Sequence, residues 1–254
     1  MSDALLEVAA NSVVSALAAE MGGAARVELC SALEVGGLTP SRAMIAVARE
    51  RLHIPIHVLI RPRPGDFVFD DLEREVMRRD IVTCKELGCA GVVIGVLDAD
   101  GEVDLPRCRD LMDAAQGMSV TFHRAFDFAR DPFAALEAIV ALGCERLLTS
   151  GQADDALAGA PLIRRLIEAA RGRIGVMPGG GIDAHNIAAI AAATGARELH
   201  ASAKTHVASR MHQRASRLGN MDTGNWQTDA AEVRARVAAL RALPSSTHNA
   251  GRQE

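Results

Sequence analysis

Eight times along this chain a short apolar run hands over to a stretch with helical periodicity. The runs are Leu5 to Val8, Arg26 to Cys30, Ile54 to Ile60, Gly91 to Val96, Ser119 to His123, Arg146 to Thr149, Ile174 to Met177 and Glu198 to Ala201. Glycines such as Gly22-Gly23, Gly88, Gly143 and Gly195 stand just before the next run, where a helix must end in a left-handed turn. Strands that are each followed by a helix pair in parallel, and eight such units in 254 residues predict a single (β/α)8 barrel. A doubly wound open sheet is the alternative. It usually has fewer strands and a nucleotide fingerprint, and neither a Gly-x-Gly-x-x-Gly after the first strand nor a P-loop lysine motif occurs here.

The expected domain spans residues 1–243, with 204–243 wrapped around the barrel as an extension and a disordered tail at 244–254. Within it, Thr39 is placed to cap the second helix, with Pro40 at its first position. Hydrophobic residues make up 49% of the chain, enough for a full core. A net charge of −4 and only 3% aromatics argue against nucleic acid and anionic membranes as partners. No apolar run is long enough to span a bilayer, and the first residues lack a basic, apolar leader. Five cysteines, an odd number scattered through core elements, suit reduced thiols in the cytoplasm.

Strand residues alternate between the helix side and the barrel interior. With Ile56, Val58 and Ile60 on the helix side, His57, Leu59 and Arg61 turn inward. Glu7, Glu28 and Cys30 turn inward by the same count, Thr121 shares a face with His123, and His200 shares one with Ser202. Buried ionisable groups are costly unless paired or used, so this set points to a functional site rather than to packing.

Three segments gather polar and glycine residues where strands give way to helices, the edge at which such folds bind ligands. In Phe122-His123-Arg124-Ala125-Phe126-Asp127, His123 suits a general acid or base, with Asp127 close behind. Glu7 and Glu28 on adjacent strands suit paired-carboxylate chemistry, with Arg61 beside them. Gly179, Gly180 and Gly181 after the seventh strand allow backbone N–H groups to approach an anion, aided by the next helix N-terminus. Ser202 after the eighth strand, Ser150 and Gly151 after the sixth, and Arg63 in the proline-stiffened loop 61–66 extend that anion site. Cys30 and His123 offer two donors for a soft metal. No Gly-x-Ser-x-Gly elbow occurs, which argues against a serine hydrolase.

The segments Leu6-Glu7-Val8, Val27-Glu28-Leu29-Cys30, Gly36-Gly37-Leu38-Thr39-Pro40-Ser41, Ile60-Arg61-Pro62-Arg63, Val120 through Asp127, Leu148-Thr149-Ser150-Gly151 and Met177-Pro178-Gly179-Gly180-Gly181 together resemble the CutC copper-homeostasis family over nearly the whole chain. The resemblance implies a cytoplasmic, homodimeric (β/α)8 barrel that binds copper(I), with Cys30 and His123 as the best ligands. Ala9 and Ala201 stand where relatives carry cysteine, which removes soft ligands from that site. Two readings stay open: a copper-handling protein, or an enzyme applying acid–base chemistry to a small anionic or phosphorylated metabolite.

Overall fold

The structure is a computed structural model and describes residues 4–212 and 224–243. Eight parallel strands form the barrel: β1 (Leu5–Ala10), β2 (Arg26–Leu29), β3 (Ile56–Leu59), β4 (Gly91–Ile94), β5 (Ser119–Phe122), β6 (Arg146–Thr149), β7 (Gly175–Pro178) and β8 (Glu198–Ala201). β1 to β7 pair in sequence order, β8 pairs with β1, and an isolated bridge between Gly179 and His200 joins the β7–β8 seam. The intervening helices are α1 (Val13–Gly22), α2 (Arg42–Arg51), α3 (Asp71–Glu86), α4 (Leu105–Ala114), α5 (Pro132–Leu142), α6 (Ala160–Ala170) and α7 (Ile187–Thr194). The alternation in the sequence thus gives the barrel, with each expected strand in place.

Caps explain where several helices begin and end. Ser12, Asp70, Asp104 and Asp131 each accept a backbone N–H in the first turn, and Gly23, Gly143 and Gly195 close their helices in the left-handed region. For α2 the cap is Ser41, whose side chain accepts from the Met44 N–H, not Thr39 as expected. The Thr39 hydroxyl instead accepts the Arg61 N–H at 2.8 Å and ties the loops after β2 and β3 together.

Two cores follow from the period of two. Leu6, Val8, Val27, Leu29, Ile56, Val58 and Ile60 belong to the apolar shell between strands and helices. Cys30, Leu59 and Val93 form a separate small cluster with Leu33, on the other side of the strands. The helix α8 (Ala230–Arg241) packs between α7 and α1, and Val233 sits so close to Gly22 that a Cβ there would come within 2.4 Å. Residues 230–241 therefore complete the outer ring as its eighth helix. Between β8 and α8 the chain inserts an antiparallel pair, β9 (Lys204–Val207) and β10 (Asn225–Thr228). The tail expected at 244–254 lies outside the described residues.

Candidate active site

Register places Glu7 beside both Arg26 and His200, and Glu28 beside His57. The resulting contacts make a chain of alternating charge inside the barrel. Arg146 Nε donates to Glu198 at 2.9 Å, and Arg26 Nη2 donates to the same carboxylate oxygen at 2.6 Å. Arg26 Nε is also bonded to Glu7, whose other oxygen lies 2.7 Å from His200 Nδ1. His200 Nε2 in turn lies 3.7 Å from Glu28. Arg26 and Glu198 are absent from the residues singled out in the sequence, although the same alternation puts Arg26 on the face of Glu28 and Glu198 on that of His200.

The two carboxylates at the end of this chain are buried, yet their surroundings push them apart. Burial opposes ionisation of Glu7, but the bond to His200 and the Arg26 guanidinium outweigh it and hold the carboxyl well below the usual range. Glu28 makes no such bond among the described residues. Burial, reinforced by the Glu7 charge, raises it to about 7 against the pull of His200 and Arg26. His200 loses some basicity to burial but gains more from Glu28 and Glu7, and ends above its ordinary value. Glu28 can thus exchange a proton near neutral pH, while Glu7 stays ionised and fixes the His200 ring.

Glu28 and His200 line a pocket of about 540 Å³ at the barrel mouth, where Arg61, Phe67, His123, Arg124, Gly180, Gly181, Ser202 and Lys204 also contribute to the wall. His123 Nδ1 accepts the Ala125 N–H at 3.1 Å, which leaves Nε2 to carry the hydrogen of the neutral ring. Burial and the nearby Arg61 charge lower its pKa to about 3, so the ring is neutral at physiological pH and presents a donor. Gly95 makes room for this ring, since a Cβ there would lie 2.4 Å from two of its atoms. Gly95→Ala should displace His123 and cost about 1–3 kcal/mol by overpacking, read as a lower urea midpoint with unchanged slope.

Arg61 donates from Nη1 to the carbonyls of Val35 and Gly37 and from Nη2 to that of Gly65, so it draws two mouth loops together. The remaining sequence candidates divide between pocket and scaffold. Arg63 is clasped by Glu73 at 2.5 Å and Asp66 at 3.0 Å, and does not line the pocket. Asp127 accepts from the Thr149 hydroxyl, the Ser150 and Gln152 N–H groups and Arg124, which fills its lone pairs. Ser150 spends its hydroxyl on the Ala153 carbonyl, and Gly151 is needed because a Cβ would meet the Gly159 backbone at 2.4 Å. Gly179 belongs to the β7–β8 seam, whereas Gly180, Gly181 and Ser202 reach the pocket. The Gly180 and Gly181 carbonyls accept from the Ala156 N–H and Asn186 Nδ2 respectively. As expected, the helix after β7 starts at about Asn186, with α7 at Ile187–Thr194; a turn built on Asp183 separates it from the glycines, so its N-terminus stands six residues beyond Gly181.

Glu7, Glu28 and His200 could together surround a cation, since one ligand atom from each lies within 4.8 Å of the others. Arg26 and His200 already occupy the two oxygens of Glu7, however, so that carboxylate is committed within the protein. Copper(I) fits poorly at the two donors expected for it. Burial, together with Glu28 and Glu34, keeps Cys30 a thiol, its Sγ lies 3.7 Å from the Ala10 carbonyl, and the His123 Nδ1 lone pair is taken by Ala125.

Comparison with known proteins agrees with the barrel. The sequence profile of the CutC family matches residues 4–205. A CutC family protein of Xanthomonas campestris pv. campestris (strain B100) is 55% identical over 93% of this chain and 98% of its own length. One from Xylella fastidiosa (strain 9a5c) is 58% identical over 81% of this chain and 77% of its own. The crystal structure of a CutC from Streptococcus agalactiae, named for copper homeostasis, superposes with a TM-score of 0.76 at 35% identity, covering 78% of this chain and 98% of that one.

Proposed function

The chain belongs to the CutC family, and from that premise we propose that its barrel mouth is an active site in which Glu28 moves a proton on a small anionic metabolite. The observation that carries this reading is the contrast between two buried carboxylates one strand apart: Glu7 is locked as an ion, while Glu28 opens on the pocket and titrates near neutrality. His200, bridging the two, positions Glu28 and can hold its proton between steps. Gly180, Gly181, Ser202 and Lys204 form the side of the pocket suited to an anionic group, with Lys204 supplying a cation. Crystals soaked in phosphate should show the anion against Ser202 and the Gly180–Gly181 backbone; a soaked crystal with that corner empty would contradict the reading.

Copper as cargo is the reading that the family's link to copper homeostasis supports. At residue level it needs soft donors, and Cys30 supplies its sulfur only as a buried thiol. Cys30→Ala should therefore change copper(I) affinity by no more than about twofold in a competition titration, well under the tenfold that 1.4 kcal/mol represents. A large loss would return Cys30 to the centre of the site. Five free, buried thiols support a cytoplasmic setting, and the family resemblance supports a homodimer. No helix among the described residues is long and apolar enough to cross a membrane.

A further inference from the structure

We infer that Arg61 and His123 form a carbonyl-polarising pair, and that the reaction at this mouth is proton transfer at a carbon adjacent to a carbonyl. The inference rests on Glu28 being the acid–base group, and adds the substrate class. Arg61 and His123 are 94–95% buried by their 6% and 5% exposures, and both line the pocket. Both pack on Phe67, the guanidinium 4.9 Å and the imidazole 5.1 Å from the ring centre. Each has one nitrogen, Arg61 Nε and His123 Nε2, with no hydrogen-bond partner among the described residues. Leaving one buried donor unmet costs about 1–3 kcal/mol, and these two belong to side chains that pack on the same Phe67 beside one pocket, where an arriving acceptor would relieve both. No carboxylate among the described residues is hydrogen-bonded to Arg61, and its other donors go to backbone carbonyls. The pair thus combines a cation with a neutral donor, suited to an oxygen on which negative charge develops.

With a carbonyl oxygen at these donors, Glu28 takes the proton from the neighbouring carbon. The C–H electron pair becomes the enolate double bond, and the carbonyl π pair moves onto the oxygen facing Arg61 and His123. Return of the pair takes the proton back from Glu28 to carbon, so no oxidant, reductant or second substrate is required. A neutral imidazole is the better donor here because it polarises the oxygen without giving up its proton. An anionic group on the same small molecule would reach the Ser202 and Lys204 side of the pocket.

The test compares binding of three probes to the full chain by calorimetry: inorganic phosphate, glycerol 3-phosphate and phosphoglycolohydroxamate, which mimics a phosphorylated enediolate. The hydroxamate should bind about a hundredfold or more tighter than glycerol 3-phosphate, as expected of a transition-state mimic. His123→Asn keeps an acceptor for the Ala125 N–H but removes the Nε2 donor, and should lose about tenfold or more of that preference while phosphate binding stays unchanged. His123→Gln, whose amide nitrogen falls near Nε2, should recover part of it. Equal binding of the hydroxamate and glycerol 3-phosphate, or a preference that survives His123→Asn, would overturn the polarising pair while leaving the anion site standing. Failure of all three probes to bind would overturn the anion-site reading and this inference with it.

Discussion

Arg26→Met should destabilise the protein by about 3–5 kcal/mol, the cost of leaving buried charges without their partner. Arg26 is the shared cation of Glu7 and Glu198, and Glu7 is only 1% exposed. At about 2–4 °C per kcal/mol for a chain of this size, the melting temperature should fall by roughly 6–20 °C. Adding Glu7→Gln should recover part of the loss, because the stranded charge is then removed. The pH dependence has a definite sign. Glu7 is depressed in the fold, so its contribution is present above its unfolded value of 4.5 and disappears as pH falls through the folded value. Wild type should therefore lose stability in acid more steeply than Glu7→Gln, as urea midpoints at successive pH values would record. Equal acid sensitivity would mean that the interior chain carries little of the stability.

Glu28→Gln should reduce turnover of any carbonyl substrate by about 10²–10⁴-fold, the usual contribution of a general acid or base. The same change should stabilise the fold at alkaline pH. Glu28 is raised in the fold to about 7, so its neutral form is accommodated below the unfolded value of 4.5, and stability is lost as pH rises through 7. A glutamine escapes that loss and should be about 0.5–2 kcal/mol more stable than wild type at pH 8, with the difference shrinking toward pH 5. A variant both inactive and more stable at pH 8 marks a residue kept for chemistry. One less stable at pH 8 would mark Glu28 as a structural member of the network.

The barrel was legible because period-two alternation separates the Leu6, Val8, Val27, Leu29 shell from the Glu7, Glu28 interior whatever the loops do. The place of residues 230–241 was not, since a helix's own pattern does not say which gap it fills; that depends on Gly22 admitting Val233. At the mouth, Glu7, Glu28, Arg61 and His123 could be nominated by type and strand position. Arg63, Asp127 and Ser150 have the same chemistry in sequence, and only the paths of loops 61–70 and 149–155 assign them to holding those loops. The state of His123 was equally hidden, because it depends on the Ala125 N–H and on a guanidinium 62 positions away in the chain, Arg61. Gly91 and Gly95 read as ordinary strand glycines, but they make space for His57 and His123.

The difference in ionisation between two adjacent buried carboxyls can be read directly by carbon NMR of protein labelled at the glutamate Cδ, titrated from pH 4 to 9, with Glu28→Gln and Glu7→Gln assigning the resonances. Glu28 should titrate at about 7, and Glu7 should remain ionised throughout that range. A Glu28 resonance that titrates near the ordinary value of 4.5 would contradict the account, because the pocket would then lack its proton-transfer group.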